Sequence, residues 1–229
     1  MPGLGPALIR SIVAGTGSGT PGCGSRAIRC ARIGIGIHGR LGLHGGVEHR
    51  RPFLLEEGEA AARLERLTQA IRAELVHWRW LPVVAALQAF RGIQTIHAVR
   101  ILAELGDLTR FGSARHLMAF LGLVPCEHSS GQRRQQGSIT KAGNSSARRA
   151  LVEAAWAYRY GARVSPIIAR RQSGIAKSVT DLAWKAQLRL CARFRRLSAR
   201  GLHKNKIVVA IARELSGFVW ALGQKVKPS

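Results

Sequence analysis

From Leu54 to Trp80 the apolar residues Leu64, Leu67, Ile71, Leu75 and Trp78 recur every three or four positions, with charges between them. That period predicts an amphipathic helix with a narrow apolar stripe, suited to a coiled-coil arm or to packing on one neighbour. Pro82 ends it, or opens the next helix in its first turn. Residues 83–124 read as short helices joined by glycine turns. Val83 to Phe90 is one, and Thr95 to Leu105 is the next, stopped by Gly106. Ser113 can cap a third, which runs to Leu121 and is stopped by Gly122. The link Arg91-Gly92-Ile93-Gln94 gives the first two a helix-hairpin-helix-like form, a shape that presents backbone N–H groups to phosphate. Residues 125–143 are polar and predict a loop or short hairpin. Asn144 can then cap a helix from Ser145 to Tyr160, followed by helical stretches Ile175 to Ala199 and Lys204 to Leu222. No strand alternation of useful length comes after residue 52. The expected fold is therefore mainly α. A coiled-coil-like linker helix (53–82) leads into a helical domain (83–222) that carries a polar, serine-bearing loop, and a basic tail (223–229) ends the chain.

Composition changes how the beginning is read. Residues 1–52 hold 13 of the 26 glycines and a single acid, Glu48, with no sustained helical or strand period. Such a segment forms helix at high entropic cost and is expected to be disordered or unrelated to the helical part of the chain. Arg10 interrupts the one apolar run, Ala7 to Val13, so no signal peptide is expected. No stretch reaches the roughly 20 apolar residues of a membrane span. Four unevenly spread cysteines do not make a disulfide framework. A cytoplasmic protein with no membrane partner is expected.

Charge points to the partner. The 229 residues carry 36 Lys and Arg against 12 acids, a net of +24. The excess is concentrated after Gly131, where 21 Lys and Arg face only Glu153, Asp181 and Glu214, a net of +18. An isolated basic pair is usually a solvated surface. This density on one helical unit implies an anionic polymer, nucleic acid, as partner.

Two motifs fail on context. Gly34-Ile35-Gly36-Ile37-His38-Gly39 matches a dinucleotide-binding pattern literally, yet no clear strand precedes it and no amphipathic helix comes after it. Cys23 and Cys30 are too widely spaced for a zinc pair. Cys126 and Cys191 suit small-residue packing roles. No metal site is expected in this chain.

The chemistry gathers in 121–156. Ser130 precedes Gly131 on a turn, with Arg133, Arg134 and Lys141 close in sequence. A serine hydroxyl that attacks a phosphodiester needs activation and cations against the developing charge, and guanidinium groups supply bidentate contacts. Asn144 and the helix start behind it offer a further anion site. Arg148, Arg149, Lys204 and Lys206 extend the basic surface. The residues alone favour the plainer reading, a basic Ser/Gly loop that only touches the nucleic-acid backbone.

This stretch resembles the carboxyl-terminal domain of the IS110-type (IS116/IS110/IS902) insertion-sequence transposases, which act as bridge-RNA-guided recombinases. The likeness covers about 140 residues. It starts at Leu87-Gln88-Ala89-Phe90-Arg91-Gly92-Ile93 and continues through Ala103-Glu104-Leu105-Gly106-Asp107 and Leu121-Gly122-Leu123-Val124-Pro125. Its sharpest parts are Ser129-Ser130-Gly131, Gly137-Ser138-Ile139-Thr140-Lys141-Ala142-Gly143-Asn144 and Ala147-Arg148-Arg149-Ala150-Leu151. Lys204-Asn205-Lys206 and Val209 to Leu215 close it.

The resemblance implies DNA strand cleavage and rejoining through a serine–phosphate intermediate. Ser130 is the nucleophile, with Ser129 as the fallback. It also implies DNA and a guide RNA as partners, and homo-oligomers formed through 56–80, which resembles the family's linking coiled coil. In the family a RuvC-like domain carries four acids that hold divalent metal. Those acids should precede residue 55, where only Glu48 stands. The chain is therefore expected to lack that domain, to bind no Mg2+ itself and to be inactive alone. The alternatives are a non-catalytic basic helical nucleic-acid-binding protein and a ribosome- or nucleoid-associated one.

Overall fold

The computed structural model describes residues 51–127, Ser130 and 135–229, with side chains from Gly58 onward. The expectation for residues 1–50 and the positions of Ser129, Arg133 and Arg134 lie outside the described residues. The order of elements is α1 (Arg51–Leu75), α2 (Leu81–Leu87), α3 (Thr95–Leu105), a 3-10 turn (Leu108–Arg110) and α4 (Ala114–Phe120). The strands β1 (Pro125–Glu127) and β2 (Gln136–Ile139) come after α4. Next are α5 (Ser145–Ala155) with a 3-10 extension (Trp156–Arg159), α6 (Pro166–Gln172), α7 (Lys177–Ala199) and α8 (Lys204–Gly223). The fold is mainly α, and among the described residues the sheet is one two-stranded antiparallel hairpin.

Helix α8 is the hub. Ile207, Ile211, Leu215, Val219 and Leu222 recur at helical spacing and are buried, and Val208, Ala212 and Ser216 bury a second face beside them. A helix buried on more than one face must be surrounded, and α8 packs against α4, α5, α7 and α2. At its end the backbone runs so close to the 3-10 turn that a Cβ on Gly223 would stand 2.4 Å from Leu108 Cβ.

Helices α3 and α5 meet through a polar ladder. His97 Nε2 lies 3.5 Å from Glu153, Arg100 Nε donates to Ser146 Oγ at 2.9 Å, and Asn144 Nδ2 donates to Glu104 Oε2 at 2.7 Å. His97, Arg100 and Glu104 stand on one face of α3 by the 3.6-residue period. Their apolar neighbours Ile101 and Leu102 enter the core.

The α2–α3 turn folds inward. Gly92 has φ +85°, and a Cβ there would lie 2.2 Å from the Ala154 carbonyl oxygen, so only glycine fits without a backbone shift. Ile93 is fully buried. Arg171 Nη1 donates to the Ile93 carbonyl at 2.9 Å, and Gln172 Nε2 donates to the Ala89 carbonyl at 3.2 Å. Both donors come from α6 or its last residue, an element the sequence pattern did not predict. Its signal was Ser165-Pro166: Ser165 Oγ caps the Ile168 N–H and the proline stands in the first turn.

Helix α1 is only partly seated. Ile71 and Leu75, with Trp78 beyond its end, are buried in the core cluster, whereas Leu64 keeps 57% of its surface exposed. The apolar stripe read from the sequence thus divides into a docked end and an uncovered end. No helix among the described residues is long and apolar enough to cross a membrane.

Candidate nucleic-acid interface

The serine loop is the connection of the β1–β2 hairpin. Pro125 pairs with Ile139 and Glu127 with Gln136, with an irregularity between the two pairs. Ser130 lies in this connection and is exposed. The base of the hairpin is tied to the end of α4 by three backbone bonds. Thr140 N donates to Val124 O at 2.9 Å, Lys141 N to Gly122 O at 3.1 Å and Asn144 N to Phe120 O at 3.1 Å. This tie needs a close approach. Gly122 has φ +63°, and a Cβ on it would stand 2.3 Å from the Ala142 carbonyl oxygen. Lys141 itself takes the left-handed conformation at φ 56°, uncommon for a residue with a side chain.

The predicted site residues fall into separate groups. The Asn144 side chain is engaged at both ends: Oδ1 accepts the Ala147 N–H at 2.8 Å as the α5 cap, and Nδ2 donates to Glu104. It brackets the loop exit and points into the protein instead of standing free for phosphate. Arg148 Nη1 donates to the Leu121 carbonyl at 2.9 Å and braces the same junction. Arg149 is exposed on α5, and Lys204 is exposed in the first turn of α8. Lys141 and Lys206 come together at a cleft of about 800 Å3 between the hairpin and α8.

That cleft also holds two cations that sequence reasoning passed over, Arg193 from α7 and Arg213 from α8. With Lys141 and Lys206 they make four cations and no acid among the described residues of its lining. The signal was available in part. Lys206, Val209, Ala210 and Arg213 are spaced to share one face of α8, which a search by basic pairs does not detect. Arg193 stands at the border with a smaller hollow of about 410 Å3, lined also by Arg189, Arg196 and Glu214. Glu214 pairs with Arg189 and lies 3.3 Å from Arg193 Nε, so this acid serves α7–α8 packing.

The other reactive groups stand away from this chemistry. Cys191 is buried, and burial pushes its thiol up, away from the thiolate form. Tyr158 is fully buried, its hydroxyl has no hydrogen-bond partner among the described residues, and burial raises its pKa far above the ordinary phenol value. Among the described residues no three His, Cys, Asp or Glu side chains converge as a metal set. Glu104 is engaged by Asn144, Glu153 by His97 and Glu214 by Arg189 and Arg193.

Residues 84–172 match the model of the Transposase IS116/IS110/IS902 family. The matched stretch runs from α2 through the hairpin to the end of α6. The chain is 47% identical over 165 residues to a Sinorhizobium fredii protein described as a transposase (y4qE), covering 72% of this chain and 42% of that one. It is 32% identical over 136 residues to the transposase for insertion sequence element IS1111A of Coxiella burnetii, 59% of this chain and 31% of that one. With the transposase for element IS1533 of Leptospira borgpetersenii it shares 34% identity over 120 residues, 51% and 34% of the two chains. The chain spans less than half the length of these curated relatives. The helical unit with its serine hairpin, residues 84–172, is thus a domain of the IS116/IS110/IS902 transposase family.

Proposed function

We propose that this chain is the DNA-handling, serine-bearing part of an insertion-sequence transposase. The observation that carries the reading is the placement of Ser130. It is exposed on a hairpin whose strand β2 forms one wall of a cleft lined, among the described residues, by four cations and no acid. Cations in a concave site concentrate phosphate and stabilise the charge that develops when a phosphodiester is attacked.

In this reading the Ser130 hydroxyl displaces an ester oxygen from phosphorus. The serine gives up its proton, the broken P–O bond leaves as a free hydroxyl, and a serine phosphodiester holds the cut strand. Attack by a second hydroxyl on that linkage rejoins the strand and frees the serine. The exchange is a transesterification, with no net change in bond type. Arg133, Arg134 and Lys141 supply the cationic surroundings, and Ser129 is the alternative nucleophile. The four metal-binding acids belong to the RuvC-like domain of the family, which would hold any Mg2+. A guide RNA is a second polyanionic partner, and work on DNA places the protein in the cytoplasm. The exposed Leu64 end of α1 is the contact through which copies associate.

The test supplies the RuvC-like domain from a longer relative and tracks labelled element-junction DNA on a denaturing gel. A protein–DNA adduct that forms with the native chain and disappears with Ser130→Ala supports the mechanism. Arg134→Ala weakens both adduct and binding, and Ser129→Ala has little effect. An adduct lost only with Ser129→Ala reassigns the nucleophile. An adduct that survives both serine changes with binding intact reduces the chain to a binding module.

A further inference from the structure

We infer that the cleft between the β1–β2 hairpin and α8 takes a single polynucleotide strand, with its bases unpaired, and excludes a duplex. This rests on the proposed nucleic-acid function and specifies the form of the ligand.

Three observations carry it. The first is size. A cleft of about 800 Å3 lies within the roughly 300–1,000 Å3 of sites that enclose a small molecule. It has room for a few nucleotide units. A duplex can lie across its mouth but cannot descend into it.

The second is the lining. Leu123, Pro125, Ile139, Val209 and Ala210 give the cleft an apolar floor, and Val209, Ala210 and Ile139 also pack on the core cluster. A duplex turns its phosphates outward and its base faces inward, so an apolar floor gives it nothing. An unpaired strand has exposed base faces that gain by leaving water.

The third is the placement of charge. Lys141 stands at the hairpin base, Lys206 and Arg213 stand two turns apart along α8, and Arg193 reaches in from α7. The cations thus come from three parts of the fold around the floor, an arrangement that tracks one backbone through a groove. The hydrogen-bonding groups of Gln136, Ser138 and Asn205, also in the lining, can meet base edges.

The ligand chemistry is shared by DNA and RNA strands, and three probes separate them. Labelled oligo-dT, oligo-U of the same length and a self-complementary duplex of that length are titrated with the full chain by fluorescence anisotropy. The native chain is expected to bind the single strands more tightly than the duplex. The joint change Lys206→Gln with Arg213→Gln keeps both positions polar and helical. It should lower single-strand affinity at least about tenfold and cut the log–log salt slope on single strands by about 1.4, near 0.7 for each lost contact. Duplex affinity should change by no more than about twofold, as should single-strand affinity in Arg170→Gln, an exposed cation outside the cleft. Ser138→Ile, which narrows the cleft without touching charge, should lower single-strand binding several-fold and spare the duplex. A preference for oligo-U over oligo-dT assigns the strand to RNA, and the reverse to DNA. Equal losses on duplex and single strand in the double variant overturn the single-strand assignment and leave nucleic-acid binding standing. Failure of the native chain to bind any of the three probes overturns both.

Discussion

Replacing Asn144 with alanine removes two interactions at once, and the structure lets their sizes be worked out separately. Its Oδ1 caps α5 through the Ala147 N–H at 2.8 Å. Loss of an Asn cap costs about 1 kcal/mol. Its Nδ2 donates to the Glu104 carboxylate at 2.7 Å in a half-buried setting. A hydrogen bond to a charged group contributes about 1.5–3 kcal/mol, and partial exposure places this one at about 1.5. Asn144→Ala should therefore cost about 2.5 kcal/mol, a large fraction of the roughly 5–15 typical of a whole domain. Asn144→Ser keeps a capping oxygen and loses only the Glu104 bond, so it should recover about 1 kcal/mol of that. Asn144→Asp also keeps the cap but sets a second carboxylate against Glu104. It should be worse than serine despite being an equally good cap. The assay is equilibrium urea unfolding monitored by helical circular dichroism. With a slope of about 2 kcal/mol per molar, the alanine midpoint should fall by about 1 M. A double-mutant cycle with Glu104→Ala should return a coupling near 1.5 kcal/mol, about the size of the bond it isolates. A fall under about 0.3 M, or no coupling to Glu104, would refute the claim that Asn144 fastens the serine hairpin to α3.

Three further outcomes rest on named contacts. Tyr158→Phe removes a buried hydroxyl that has no partner, so stability should hold or rise by about 1 kcal/mol in the same urea assay. A loss above about 1 kcal/mol would mean that the hydroxyl is satisfied. Gly92→Ala forces a Cβ to within 2.2 Å of the Ala154 carbonyl oxygen at φ +85°, and should cost at least about 2 kcal/mol. A neutral result would show that the α2–α3 turn does not pack on α5. Leu64→Asp should shift sedimentation toward a smaller species with unfolding unchanged, since Leu64 is mostly exposed. Leu75 cannot serve as that probe because it is buried in the core. If the native chain sediments as a monomer at micromolar concentration, association through α1 is wrong.

The helices were legible where a cap and a stop agree with the apolar period. Thr95 to Leu105 lies where the pattern placed it, Ser113 and Asn144 cap as expected, and Lys204 begins α8. Helix α6 escaped notice because seven residues are too few to show a period, and its ties to the α2–α3 turn, the Arg171 and Gln172 bonds, are long-range. The helix expected to run from Ser145 to Tyr160 becomes a 3-10 turn after Ala155. The serine hairpin was visible as a polar, glycine-rich interval, but its seat was not. The backbone bonds from Thr140, Lys141 and Asn144 reach back across the whole hairpin to Val124, Gly122 and Phe120. The cleft was the least legible feature. Its cations come from the hairpin base, α7 and α8, and only the packing of α8 at the centre brings Lys141, Arg193, Lys206 and Arg213 to one place. Clusters of adjacent arginines drew attention instead. Neighbours in a helix point about 100° apart and seldom act together.

The most direct measurement of where nucleic acid lies is photocrosslinking from the cleft itself. A benzophenone side chain is introduced in place of Gln136, a larger exposed residue at the cleft wall, and separately in place of Arg170, exposed on α6 outside it. Each protein is irradiated with labelled single-stranded DNA at a salt concentration where the native chain is bound. The account predicts strong crosslinking from position 136, competed away by unlabelled single-stranded DNA, and little from position 170. Equal crosslinking from both positions, or crosslinking from 170 alone, would contradict it.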